Sequence, residues 1–418
     1  MQEVQVQAPN SRLFAQTALR RFYQERLFAP VWVTDRGTKP QFRALVDTVL
    51  SANAHGLNPA DYHAEALQRL SALEANTTLG IGERIELELL ASDAALLFAS
   101  HLLAGRVNPR TIDAEWFADM RGGDVVQIVE RIVSDGDIAA GYAALAPQAP
   151  GYGRLKKALH DWRSLTATGP TLPPGEILKP GMRGPRVEQL RKQLAIPARN
   201  DDSTDLYDAG LLAAVKRFQL SRGLEDDGMV GPATLRLLNQ HPDDVIDMLI
   251  ANLERWRWLP EDLGERHILV NIAAFRLQAR ERYQTQLEMD VIVGRSYRKT
   301  PVLSAPLRYL VLNPYWEVPH SIATKDLLPK FRADSGYFRS MGFELLKGWG
   351  PQHQRVDIST INWQQVSAKN FPYRLRQLPG PKNALGQIKF MLPNAHAIYL
   401  HDTASVSYTH LRAHETSL

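Results

Sequence analysis

Along the first 165 residues, apolar side chains recur at spacings of three and four, as in FRALVDTVLSANAHGL (42–57), ELELLASDAALLFASHLLAG (86–105) and YGRLKKALHDWRSL (152–165). An α-helix turns every 3.6 residues, so this spacing gathers each segment's apolar positions into one stripe and predicts a mostly helical domain over 11–165. TATGPTLPPGEILKPG (166–181) breaks the periodicity with Pro, Gly and Thr, and 166–177 reads as a linker. Three short amphipathic helices are predicted at 185–194, 208–221 and 232–239, forming a small module over 178–240. DDVIDMLIANLERWRWLPEDLG (243–264) is a helix whose Trp256 and Trp258 are expected to pack back on the N-terminal helices, so 241–264 returns to the first domain. From residue 265 the period changes to two. RHILVNIAAFRLQAR, TQLEMDVIVG, LRYLVLNPYWEVP and GQIKFMLPNAHAIYLH read as strands of a mostly-β domain over 265–405. Between about 321 and 378 the alternation lapses for long enough to predict a capping insertion. The fold class is multidomain α+β.

The length of 418 residues exceeds what one core organises. Uncharged apolar runs such as AALLFASHLLAG (94–105) fall short of the ~18–20 residues that span a bilayer, and no transmembrane helix is predicted. MQEVQVQAPN carries neither a basic n-region nor an apolar h-region, so a secretory signal is read as absent or removed. The net charge of +4 is dispersed among acids, which favours a solvated surface over a nucleic-acid face. Cysteine is absent, which removes disulfides, thiolate metal sites and thiol catalysis from these residues. His396 and His401, five apart on a strand, are expected on opposite faces, so no metal site is predicted. No zinc set or paired carboxylates stand at hydrolase spacing, and no cofactor is expected.

Gly181, Gly184, Val187 and Leu190, followed by Val215, Phe218, Gln219, Gly223, Leu224, Asp227, Gly228, Gly231 and Thr234, follow the pattern of the peptidoglycan-binding module found beside wall enzymes. The resemblance covers about sixty residues and implies a glycan partner, although its glycines serve turns, its apolar set is core, and such modules also act as spacers.

ERWRWLP, VNIAAF, LVLNPYWEVPHSI, LLPK, RQLPGPKNALGQIKFMLPN and IYLHDT follow in the order and spacing of the large periplasmic L,D-transpeptidases of Gram-negative bacteria, and FYQERLFAPVWV (22–33) and HGLNPADY (55–62) look like that family's helical scaffold. The resemblance, from roughly residue 14 to 405, implies peptidoglycan stem peptides as substrate and a periplasmic location. In the family, a cysteine thiolate attacks the carbonyl of the third stem residue, diaminopimelate, at its bond to the terminal D-Ala. D-Ala leaves and the amine of a second stem takes the acyl group. Thiol and oxyanion need a neighbouring imidazole and backbone N–H groups respectively. His401 stands where the motif's first histidine stands, which implies a general-base role. Asn313, Tyr315, Trp316, Asn383, Gly386 and Lys389 match motifs that line the substrate cleft. Each is as readily structural, and Gly386 and Pro381 read as turn formers.

The family's Ser-His-Gly-Cys segment is due some fourteen to twenty residues after the first histidine, near or past residue 418. From about Val406 the chain ceases to be family-like, and VSYTHLRAHET resembles a one-frame translation of a transposon adapter used in sequencing libraries. The expectation is a non-native tail over 406–418, a gene cut before its nucleophile, no role for His410 or His414, and an inactive polypeptide. The alternative is a non-catalytic peptidoglycan-binding scaffold protein. Such a protein would be expected to drift throughout the catalytic half, whereas GPKNALGQIKF and IYLHDT stay family-like up to a sharp break.

Overall fold

The computed structural model describes residues 12–74, 78–164, 171–197, 204–294, 299–348 and 350–402. The 406–418 tail and the first part of the sequence-predicted linker lie outside the described residues. The chain divides into two compact units, 1–114 with 119–262, and 115–118 with 263–418.

The first unit is built on helix α4, Ile81–Ala104, which follows α1 (Gln16–Glu25), α2 (Pro40–Leu50) and α3 (Ala64–Glu74). By length and composition α4 could cross a membrane, although no uncharged run in the sequence is long enough. Here it lies inside a bundle, with Leu87, Leu90, Ala91, Ala94, Phe98 and Leu102 buried, as an all-round apolar helix must be. Two buried carboxylates on α4 organise its surroundings. Glu88 accepts hydrogen bonds from the Tyr23 hydroxyl at 2.6 Å and from the backbone N–H groups of Val31, Trp32 and Val33, so the loop after α1 is pinned to the core. Asp93, fully buried, accepts from the N–H groups of Phe14 and Ala15 and pairs with His63 Nε2 at 2.8 Å. It satisfies the open end of α1, where Ala15 has no side-chain oxygen to offer.

After α5 (Pro109–Ile112), helices α6 (Val125–Asp135), α7 (Ile138–Leu145) and α8 (Pro150–Arg163) complete the bundle. Three short helices follow, α9 (Pro185–Gln193), α10 (Ala209–Ser221) and α11 (Pro232–Leu238). They enclose Val187, Leu190, Tyr207, Leu211, Val215 and Val230. Leu172, within the sequence-predicted linker, is fully buried in that core, and its backbone pairs both ways with the Asn239 amide at 2.8 and 2.7 Å. Residues 171–177 therefore belong to the module's packing, a correction that periodicity could not supply because a single apolar residue anchors the segment. Gln219, buried, donates to Asp227 and Met229 O and accepts from Gly228 N–H, closing the loop before α11. The Arg222 guanidinium lies 5.5 Å from the ring centroids of both Trp162 on α8 and Phe218 on α10.

Helix α12, Pro242–Trp258, packs along α8 and α4. Trp256 packs against the bundle core, and its ring approaches Gly151 so closely that a Cβ there would sit 2.5 Å away. Arg257, 1% exposed, donates to His55 O at 3.0 Å and to the Tyr152 hydroxyl at 3.1 Å, and its charge is met by Glu254 at 2.6 Å.

In the second unit, β2 (Arg266–Asn271), β3 (Arg276–Glu281) and β4 (Gln284–Asp290) form an antiparallel meander. It is preceded in sequence by β1 (Trp116–Phe117), which pairs in parallel with β5 (Val302–Leu303). Strand β6 (Tyr309–Leu312) leads to β7 (Trp316–Glu317). The sequence-predicted insertion is a structured body: a helical run over 320–333 (α13), α14 (Ser335–Ser340), and strands β8 (Phe343–Lys347), β9 (Gln354–Val356) and β10 (Arg374–Gln377). The sheet order is β7-β10-β8-β9, over an aromatic core of Phe331, Phe338, Phe343, Trp363 and Phe371. Because β7 pairs with β10, this body takes in Trp316, five residues before the sequence-predicted start of the insertion.

The remaining sheet carries the candidate chemistry. Strands β11 (Ile388–Met391) and β12 (Tyr399–His401) join β6 in the antiparallel order β12-β11-β6.

Candidate active site

Directly opposed residues of an antiparallel ladder share a face, and alternate residues along each strand join them. Lys389 opposes His401 and Val311, while Met391 opposes Tyr399 and Tyr309, so Lys389, Tyr399 and His401 occupy one face. The other face presents Leu310, Leu312, Ile388, Phe390 and Leu400. Leu310, Leu312 and Ile388 there are exposed.

His401 closes β12 with its ring exposed. Its Nδ1 lies 2.6 Å from the carbonyl oxygen of Asp402. A carbonyl only accepts, so Nδ1 carries the proton and donates it, and Nε2 keeps its lone pair with no partner among the described residues. That tautomer suits an imidazole meant to receive a proton. Tyr399, two residues earlier, places its ring 5.7 Å from that of His401. The Lys389 ammonium sits 3.6 Å from the Tyr399 ring centroid, and burial pushes the Lys389 pKa down. Burial raises the Tyr399 pKa, opposed by a hydrogen bond from the Trp316 indole N–H to its hydroxyl. Trp316, half-buried on β7, also packs near Phe343 at 6.4 Å between ring centroids.

The other predicted site residues shape the backbone beneath this group. Asn313 follows β6 in the left-handed region at φ 49° and donates its N–H to Gln387 O at 2.8 Å. Asn383, 1% exposed, donates to Pro314 O at 3.0 Å and Leu378 O at 2.9 Å and accepts from Leu385 N–H at 2.8 Å. It staples the turn after β6 to the loop before β11. Gly386 has φ 65°, and a Cβ there would collide with the Asp402 side chain, 2.7 Å from Oδ2. Only glycine meets both conditions. Tyr315 is half exposed, with the Arg376 guanidinium 4.5 Å from its ring centroid.

His396 does not share a strand with His401. It lies in a turn that Asn394 closes by accepting from the His396 and Ile398 N–H groups and donating to Ile398 O. The opposite-face expectation therefore has no strand to act on, because β12 starts only at Tyr399. Among the described residues no group of three or more His, Cys, Asp or Glu could hold a metal ion. Tyr399 shares the face of Lys389 and His401 and is a candidate that sequence reasoning missed. Its spacing of two from His401 in IYLH was the available signal, since that spacing shares a face on any strand.

Three family matches cover most of the chain. A scaffold domain matches 17–159, a "Putative peptidoglycan binding domain" matches 183–238, and the L,D-transpeptidase catalytic domain matches 265–416. The last interval contains β6, β11, β12 and His401. Over 265–416, then, the chain is similar to the L,D-transpeptidase catalytic domain. A Haemophilus influenzae protein named "Putative L,D-transpeptidase" is 39% identical over 160 residues, covering 38% of this chain and 31% of that relative. The chain thus spans less than a third of that relative's length. The multidomain α+β architecture agrees with these matches: helices dominate the first two intervals, and every described strand except β1 lies in the third. The catalytic-domain match extends past residue 406, where the sequence reading places a break in family likeness.

Proposed function

We propose that the catalytic unit is built for acyl transfer on peptidoglycan stem peptides, with His401 as general base. The observation that carries this reading is the His401 tautomer: Nδ1 donates to Asp402 O, Nε2 has no partner among the described residues, and the ring is exposed near Tyr399. In the proposed reaction a cysteine thiol gives its proton to Nε2, and sulfur attacks the diaminopimelate carbonyl carbon. The C–N bond to D-Ala breaks as His401 Nε2 passes that proton to the departing nitrogen, so D-Ala leaves as its amine and a thioester remains. The amine of a second stem then attacks the thioester, forming the cross-link amide and releasing the thiol.

Asn313, Asn383 and Gly386 set the backbone of the cleft wall in this proposal, and Tyr315, Trp316 and Lys389 present side chains to the substrate. The 418 residues hold no cysteine, so a polypeptide of these residues alone turns nothing over. The helical module over 178–240 is proposed to hold peptidoglycan, which places the protein outside the cytoplasm. No cofactor takes part.

The test is mass spectrometry of a tetrapeptide-stem substrate incubated with the chain and with a version continued through Ser-His-Gly-Cys. Dimeric product from the continued version alone supports the reading, and product from neither refutes it. The lack of cysteine is the observation that favours a second reading, a non-catalytic peptidoglycan-binding protein. Sedimentation with purified sacculi together with failure of the continued version would favour it.

A further inference from the structure

Residues 115–118 belong by packing to the second unit, although the chain on either side of them, through Ala114 and from Asp119, belongs to the first. Within the second unit they add a parallel strand: Trp116 pairs with Val302, Phe117 with Leu303, and Val302 N–H donates to Glu115 O at 3.1 Å. Trp116 and Ala118 are buried, while Phe117, on the opposite side of so short a strand, is 42% exposed. An aromatic ring left half in water needs a contact to hold it, and Phe117 has one: its ring centroid lies 3.9 Å from that of His396.

That contact falls at a sensitive place. The turn holding His396 is closed by Asn394 and includes Ala397 at φ 54°, and it feeds directly into β12. Only Tyr399, Leu400 and His401 form β12, and among the described residues it lies at the edge of its sheet, paired to β11 alone. So short an edge has little ladder of its own to fix it.

We infer that the 115–118 segment is a strap of the catalytic unit in which Phe117, through His396, positions β12 and the His401 imidazole. This rests on the proposed base role of His401. Phe117 is a positioning residue: it touches neither His401 nor a reacting atom. The strap also makes catalytic geometry depend on a stretch of chain from outside the 265–416 family match.

The experiment uses the full chain and no substrate, so its outcome is independent of whether transpeptidation occurs. Amide hydrogen exchange and the His401 ring-proton signals are recorded for the unchanged chain, Phe117→Ala and Phe117→Tyr. Loss of one aromatic pair is expected to speed exchange along the β11–β12 ladder by roughly three- to tenfold and to move the His401 signals, with β8 and β10 unaffected. Phe117→Tyr, which keeps the ring, restores both. If Phe117→Ala fails to fold, Phe117→Leu keeps the bulk without the ring and reads the same signals. Unchanged β12 exchange and His401 signals would overturn the inference. So would an equal acceleration through β8 and β10, which would make Phe117 a general packing residue.

Discussion

The His401 imidazole donates its Nδ1 proton to the carbonyl oxygen of Asp402, the next residue along the chain, at 2.6 Å. This short-range bond needs the backbone after β12 to turn back toward the ring. Gly386 makes room for it, since any side chain at 386 would strike Asp402. His401 and the glycine fifteen positions earlier are thus one device.

Gly386→Ala tests that device. The left-handed φ and the collision act together, so a loss of more than about 1 kcal/mol is expected in chemical denaturation. The His401 ring nitrogen shifts should move toward a mixture of tautomers as Asp402 is displaced. Unaltered shifts would separate Gly386 from the His401 tautomer.

Asn383→Ala removes an amide that is almost fully buried and leaves the Pro314 and Leu378 carbonyls without their donor. The expected cost is about 1–3 kcal/mol. Thermal melting of the variant measures it. In the continued, thiol-bearing version, substrate KM should change little once the fold is intact, because the amide faces inward.

Trp316→Phe keeps most of the packing near Phe343 and removes the indole N–H. The Tyr399 hydroxyl loses the hydrogen bond that opposes its burial, so its pKa should rise further. Ultraviolet titration of the tyrosines reads this. Trp316→Ala is expected to lower the melting temperature as well, since the ring also packs on the insertion core.

The sequence made the change from helical to extended segments legible, and β6, β11 and β12 fall within the apolar runs LRYLVLN, GQIKFML and IYLH. Lys389 and His401 became candidates only through the family resemblance of GPKNALGQIKF and IYLHDT, and the strand pattern added nothing to them. What it could not show was register, which pairs Lys389 with His401 and brings Tyr399 beneath the ammonium. Residues 171–177 looked like linker because a single Leu172 sets no period. The strap at 115–118 was invisible for the same reason: two residues of strand inside a helical stretch carry no pattern, and their partner lies far along the chain.

The first unit should weaken in acid. Burial, helped by Lys156 and Arg257, holds the His55 pKa at about 3, against 6.5 in an unfolded chain. His101 is held at about 4, also chiefly by burial. The unfolded chain takes up these protons as pH falls below 6.5 while the folded chain does not, so stability present at neutral pH is lost on the way down to the folded values. Each histidine contributes a slope approaching about 1.4 kcal/mol per pH unit in that window. Denaturation midpoints between pH 7 and 4 should show it. His55→Gln should be less stable at pH 7 and less steep below it.

The most direct measurement of the central claim is the intact mass of the version continued through Ser-His-Gly-Cys after brief exposure to a stem tetrapeptide, with His401 present or replaced by Gln. The expected result is an adduct equal to the substrate minus D-Ala with His401, and little or none with His401→Gln. Equal adduct in both would contradict His401 as the base, and no adduct in either would contradict acyl transfer by this unit.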